Sequence, residues 1–227
     1  MLVLTLDSAS IASVALSRDG EVLREFATPD TRSHAEALAP AVRDLMAAEG
    51  ITGSQLDGIL VGTGPGPFTG LRAGLVTARA LAFAWELPVH GLCSLDAVAH
   101  RVAQDAPGNR PEFVVATDAR RRELYWRVYR AVTDRDGVLA VPTGEPRVGP
   151  AEDVPALPCH GPGAALYPDR LAQPVQAGAH LQPTAADLAR AAWALTRRGH
   201  ELSTDTSPLY LRDSDAQVPA AVQGARP

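Results

Sequence analysis

Apolar and polar residues alternate in short bursts at the start of the chain. Leu2 to Leu6, Ala12 to Ser17 and Glu21 to Ala27 predict three strands joined by polar turns at Asp7-Ser8-Ala9-Ser10 and Arg18-Asp19-Gly20, an antiparallel meander. The period then lengthens. Leu38, Val42, Leu45 and Met46 share one broad side of a predicted helix from His34 to about Glu49, while Glu36, Arg43 and Asp44 lie away from it. Ser33 is the expected cap and Gly50 the stop. Pro40 withholds one backbone hydrogen bond inside this helix and predicts a kink or a short first segment.

The segment Leu60 to Leu87, LVGTGPGPFTGLRAGLVTARALAFAWEL, carries the strongest pattern. Gly58 to Val61 predicts a buried strand, Gly62, Gly64, Gly66 and Gly70 permit backbone angles closed to other residues, and Thr69 is the expected N-cap of a long helix. On that helix Arg72, Arg79 and Glu86 form one narrow charged stripe spaced by seven, and nearly every other position is apolar or small. A sheet can cover the side holding Leu71, Leu75, Ala78, Ala82 and Trp85. Ala73, Val76, Ala80, Phe83 and Ala84 then need a second cover, either another layer of the same domain or another subunit.

A strand near Val89 to Leu92 and a helix capped by Ser94 complete a β-β-β-α-β-α-β-α order by about Gln104, that of a ribonuclease H-like unit. Asp105 to Pro111 reads as a linker. Phe113 to Thr117 and Glu123 to Val132 open a second set of strands, followed by a Pro-rich irregular stretch between Val141 and Pro183. Thr184 with Asp187 then starts a helix through Leu188, Ala191, Ala192 and Leu195 to a stop at Gly199. The expected division is an N-terminal lobe over 1–105, a smaller C-terminal lobe over 106–215 and a disordered tail over 216–227.

Composition narrows the chemistry. The 227 residues, 46% hydrophobic, suit a soluble globular protein with one large core or two modest ones. A formal net charge of −5 argues against a stand-alone polyanion binder, which needs clustered cations. Cys93 and Cys159 have no Cys-x-x-Cys spacing, which fits two reduced thiols in a cytosolic protein. The apolar start meets Asp7 too early for a signal peptide, and no run is long enough to span a membrane. All 21 basic residues are Arg, which excludes a phosphate-loop lysine and any Schiff-base lysine. Pro65 and Pro67 also remove two N–H donors from the glycine loop, so it reads as a rigid strand-to-helix turn rather than a phosphate cradle.

Several pieces together resemble the bacterial TsaB (YeaZ) family of tRNA threonylcarbamoyladenosine biosynthesis. They are LTLDSASIASVAL from Leu4, RSHAEALAPAV from Arg32, GTGPGPFTGLRAGL from Gly62, DARRRELYW from Asp118 and SPLYLR from Ser207. The residues that carry the match are Arg32, His34 and Glu36, then Gly64, Gly66, Phe68, Thr69, Gly70 and Arg72, then Asp118, Arg120 and Arg121. The resemblance implies an α/β fold of two ribonuclease H-like lobes of the actin-like ATPase superfamily, with mixed sheets and packed helices. It implies a cytoplasmic, non-catalytic scaffold or activator that heterodimerises with TsaD, the subunit that transfers threonylcarbamoyl to the adenosine beside the tRNA anticodon. A TsaE-type ATPase joins through the complex, tRNA is met indirectly, and a homodimer forms when TsaD is missing.

By the same resemblance the first two helices build the partner surface, at Leu38, Val42, Leu45 and Met46 on one and Leu71, Leu75, Ala78 and Ala82 on the other. No catalytic residue, metal ligand or cofactor is implied. The chain departs from the family at Pro67, where Ser is common, at Asp7-Ser8-Ala9, where Asp-Thr-Ser is common, and in the Arg120-Arg121-Arg122 run, which has an extra Arg where a Gly is frequent. The Arg120-Arg121-Arg122 run reads as a solvated turn, with RNA contact as the alternative.

The alternative function is an actin-like ATPase or kinase with Asp7 as metal carboxylate. Phosphoryl transfer also needs a second acidic loop and a phosphate cradle, and no Asp-x-Gly-Thr segment follows. A hydrolase built on Ser33 and His34 lacks a Gly-x-Ser-x-Gly elbow, and chain neighbours rarely face each other on a helix. A metal site at His34 lacks the second helix-spaced His of the catalytic relatives, since Leu38 stands four residues on. His90, His100, His160, His180 and His200 are scattered.

Overall fold

The alternating segments pair as the meander predicts. In the computed structural model, which describes residues 1–29, 34–105, 112–173 and 180–212, β1 (Leu2–Asp7), β2 (Ser13–Arg18) and β3 (Glu21–Ala27) are antiparallel neighbours. The apolar runs β4 (Gly58–Gly62) and β5 (Val89–Leu92) add in parallel, giving a five-stranded sheet of order β3-β2-β1-β4-β5. Successive side chains of a strand leave on opposite faces. Ile59 and Val61 therefore join the core beneath α1 (His34–Ala48) and α2 (Phe68–Trp85), while Leu60 joins Ala97, Leu188 and Ala192 on the other face.

That second face is covered by α5 (Ala185–Thr196), which packs on β1, β2 and β4 and against α3 (Ser94–Asp105). Thr184 caps α5, its Oγ1 accepting from the backbone N–H of Asp187 at 3.1 Å. The last helix among the described residues thus returns to the first sheet.

The second sheet holds β6 (Phe113–Asp118), β7 (Glu123–Asp134), β8 (Gly137–Pro142), β9 (Arg147–Pro150) and β10 (Cys159–His160). The stretch expected to be irregular therefore contributes β9, antiparallel to β7, and β10, parallel to β6. Both are too short to show a period. After β10, Gly161-Pro162-Gly163 leads into the short helix α4 (Pro162–Leu166), as Gly64-Pro65-Gly66 leads toward α2. A Cβ on Gly161 would sit 2.5 Å from the Ala116 carbonyl oxygen, and one on Gly66 would sit 2.4 Å from that of Ala9. In each sheet a Gly-Pro-Gly loop lets another strand's end pass at backbone contact. The two sheets are two ribonuclease H-like lobes.

Local expectations were corrected in two places. Thr69 is not the N-cap of α2; the helix starts at Phe68 after Pro67, and Thr69 is exposed in its first turn. Pro40 lies within one continuous α1 rather than ending a first segment, at an exposed position. Ser33, the linker residues 106–111 and the tail from 213 lie outside the described residues.

Candidate functional site

The turn after β1 is the place where an actin-like ATPase would hold metal and phosphate, and here it is filled by the protein itself. Asp7 is fully buried, with Oδ1 accepting from Ala9 N–H at 2.9 Å and Oδ2 from the Ser94 hydroxyl at 2.5 Å. Burial pushes its carboxyl up to about 6, against the opposing pull of those two hydrogen bonds. A Cβ on Gly62 would meet Oδ2 at 1.7 Å, so β4 closes the space beside the carboxylate. Ser8 follows. Its hydroxyl donates to the Gly70 carbonyl at 2.8 Å and accepts from Gly74 N–H at 3.0 Å, which docks the turn on α2.

The glycine loop is equally committed. Ser94 Oγ accepts from Gly64 N–H, and Ser94 N–H donates to the Gly64 carbonyl at 2.8 Å. Gly64 has φ +92°, the left-handed region that favours glycine. Asp7, Gly64 and Ser94 thereby join β1, the loop and α3.

All eight residues expected at the partner surface are instead core. Leu38, Val42, Leu45 and Met46 of α1 are buried, as are Leu71, Leu75, Ala78 and Ala82 of α2, and together they form the layer against the sheet. The physical reason is that both helices are apolar on the sheet side and α2 is also apolar on the other. The outer side of α2 presents Val76 (64% exposed), Ala80 and Phe83 (88% exposed), three positions at helical spacing. Beside it α1 exposes Ala39, Pro40 and Ala47, with Arg43 among them. An almost fully exposed phenyl ring on an apolar stripe is unusual for a helix packed on a sheet.

The motif residues gather at one end of α2. Arg72 lies with its guanidinium carbon 3.5 Å from the Phe68 ring centroid and donates from Nε to the Tyr210 hydroxyl at 2.6 Å. Phe68 and Tyr210 stack at 5.2 Å. Arg79 holds the same C-terminal segment, donating to Thr206 Oγ1 and to its carbonyl. The charged stripe of α2 is thus where residues 206–210 attach, a role that spacing alone does not disclose. Tyr210 lies in the SPLYLR motif, which was its only signal in the sequence.

Across a cleft of about 440 Å³ stands the turn between β6 and β7. Arg120, Arg121 and Arg122 have φ of 62°, 55° and 64°, three consecutive left-handed residues none of which is glycine. Asp118 holds the turn, accepting from Arg120 N–H at 2.7 Å and pairing with its guanidinium at 3.1 Å. Arg212 reaches Glu123 and the Ala119 carbonyl. Glu36 is exposed on α1; Arg32 and the His34 side chain lie outside the described residues. Gly64, Gly66, Gly70, Phe68, Thr69, Arg72, Asp118, Arg120 and Arg121 therefore border the loop, the first turns of α2 and this cleft.

A family model described as TsaD, tRNA N6-adenosine threonylcarbamoyltransferase, matches residues 21–140. An uncharacterized protein of Mycobacterium tuberculosis is 38% identical over 97% of this chain and 95% of its own length. The tRNA threonylcarbamoyladenosine biosynthesis protein TsaB of Escherichia coli is 34% identical over 61% of this chain and 58% of its own. The solved structure of YeaZ from Pseudomonas aeruginosa superposes with a TM-score of 0.75 at 32% identity, covering 92% of this chain and 99% of that one.

Proposed function

The chain belongs to the TsaB (YeaZ) family of tRNA threonylcarbamoyladenosine biosynthesis proteins, and from that premise we propose that it is the non-catalytic partner of the transferase subunit TsaD. The observation that carries the reading is the exposed stripe Val76, Ala80 and Phe83 on α2. Covering a Phe and a Val side chain removes apolar surface worth roughly 2 kcal/mol each, and Arg43, Arg72 and Arg79 at the margins add charge selectivity. The partner is TsaD, with a TsaE-type ATPase recruited through the complex, in the cytoplasm. Without TsaD, a second copy of the chain covers the stripe. TsaD carries the chemistry and the chain meets tRNA through it.

The reading of the chain as non-catalytic is supported by Asp7, whose two oxygens are already engaged by Ala9 and Ser94. The experiment is reconstitution. The purified chain alone leaves tRNA unmodified when given threonylcarbamoyl-adenylate, and adding it to TsaD restores transfer. Turnover by the isolated chain would sink the proposal. Micromolar nucleotide binding lost on Asp7→Ala would favour an ATPase or kinase instead.

A further inference from the structure

The cleft between the start of α2 and the β6–β7 turn, about 440 Å³ in volume, has two unlike walls. One is aromatic: Phe68 and Tyr210 stack at 5.2 Å and yet remain 52% and 43% exposed. The other is cationic, formed by Arg120 and Arg121 with Arg212 beside them. Arg120 and Arg212 each hold a carboxylate, Asp118 and Glu123, in pairs that stay partly exposed and therefore weak. Arg72, at the aromatic wall, is exposed and has no carboxylate partner among the described residues; its guanidinium lies on the Phe68 ring and bonds the Tyr210 hydroxyl. Arg120, Arg121 and Arg122 all take a left-handed φ, which Gly or Asn would hold at lower cost, and all three are exposed. Neither the shape of the turn nor burial accounts for arginine there, and strain kept at a surface cleft points to a ligand.

We propose that this cleft holds a single-stranded segment of the tRNA, with one base stacked on the Phe68–Tyr210 wall and the neighbouring phosphates on Arg120 and Arg121. Aromatic faces beside guanidinium groups suit unpaired RNA, because every base has a face to stack and each nucleotide brings an anion to pair. A duplex keeps its bases inside and cannot use the aromatic wall. The choice of tRNA rests on the reading above, in which TsaD brings the tRNA; the cleft adds one direct contact. Phe68 stands on the first turn of the helix that carries Val76, Ala80 and Phe83, so a strand in the cleft runs beside the partner surface. The net charge of −5 repels a polyanion from the rest of the chain, which makes the contact weak without TsaD and dependent on salt.

The test is fluorescence anisotropy of the full chain, without TsaD, against fluorescein-labelled hexaadenylate RNA at low salt. Saturable binding is expected with Kd on the order of 100 μM, and log K should fall against log salt with a slope of roughly −1.4, for two phosphates. Shifts of backbone amide NMR signals at 66–72, 119–122 and 209–212 place the strand in the wild-type protein, independently of any variant. Tyr210→Leu is expected to weaken binding about tenfold through lost stacking. Arg121→Asn, which keeps a residue tolerant of left-handed φ, should flatten the salt slope by about 0.7. Thermal unfolding confirms that each variant is folded. Unsaturated titration, amide shifts only elsewhere, or unchanged binding in both variants would overturn the site. Hexaglutamate competing as well as hexaadenylate would replace RNA by an acidic peptide, and an RNA duplex binding equally would refute the single strand. Because TsaD is absent from the assay, failure here leaves the TsaD reading standing, and failure of TsaD to bind the chain leaves this result intact.

Discussion

The Ser94 hydroxyl donates to Asp7 Oδ2 across 2.5 Å in the interior of the first lobe. This bond ties the start of α3 to the end of β1. Burial raises the Asp7 pKa from 3.8 to about 6, against the lowering pull of this bond and of Ala9 N–H. The folded protein thus binds this proton more tightly than the unfolded chain does. The Asp7 contribution to stability is complete below pH 3.8 and is lost as pH rises through about 6. Asp7→Asn is expected to abolish that dependence, removing a slope worth roughly 3 kcal/mol across the window. Urea unfolding of both proteins between pH 4 and 7 measures it, and an unchanged slope would mean the group is ionised throughout.

His100 works in the opposite direction over much of the same range. It is buried on α3, 3.4 Å from Gln104 Nε2, facing Asp187, Arg190 and Arg198 from α5 and its C-terminal end, and burial lowers its pKa from 6.5 to about 4. A depressed value means stability is present above pH 6.5 and lost as pH falls through about 4. Between pH 4 and 6 the two groups offset each other, so the intact protein should show a shallow profile. His100→Leu should expose the Asp7 limb, with stability rising on acidification, and Asp7→Asn should expose the His100 limb, with stability falling. Identical profiles for the two variants would refute the compensation.

Much of this architecture was legible in the residues. The meander, the long apolar α2 and the strand-to-helix order through α3 follow from period and turn chemistry, because each element is long enough to show a repeat. The second lobe was less so. β10 is two residues long and pairs Cys159 with Val114 across a long sequence separation, and no local pattern encodes such a contact. The return of α5 to the first sheet depends on alanines at Ala185, Ala186 and Ala192, which carry weak directional information. At the candidate site, the need for a second cover over Val76, Ala80 and Phe83 was visible in the helix pattern. The eight positions carried over by resemblance fall on the buried inner side of the two helices, because motif similarity locates a helix without giving its rotation.

The turn at Arg120, Arg121 and Arg122 holds three left-handed side-chain-bearing residues in a row, at a place where only glycine adopts φ +64° without penalty. Arg122→Gly is expected to stabilise the chain by about 1 kcal/mol, since relief of the left-handed strain outweighs the added freedom of the unfolded state. Thermal unfolding checks the sign. If the variant is more stable but supports less threonylcarbamoyl transfer with TsaD, the strained arginine is kept for function. If both rise together, the strain is incidental.

The two sides of α2 make separable predictions about folding and assembly. Ala78 is fully buried against the sheet, so Ala78→Asp places a carboxylate in the core and should unfold the chain or lower its stability by more than about 3 kcal/mol. Leu45→Asp, also at a buried position, should behave the same way. Phe83 is 88% exposed, so Phe83→Asp removes little from the folded monomer and should leave the melting temperature within a few degrees of the parent. In the complex, that carboxylate would be desolvated without a partner, and affinity for TsaD should fall by at least about tenfold. Val76→Asp should reproduce the effect about two helical turns away. Size-exclusion chromatography with TsaD, beside thermal unfolding of each variant, decides between the two sides. A Phe83→Asp chain that still forms the complex at parental affinity would move the partner surface off α2 altogether.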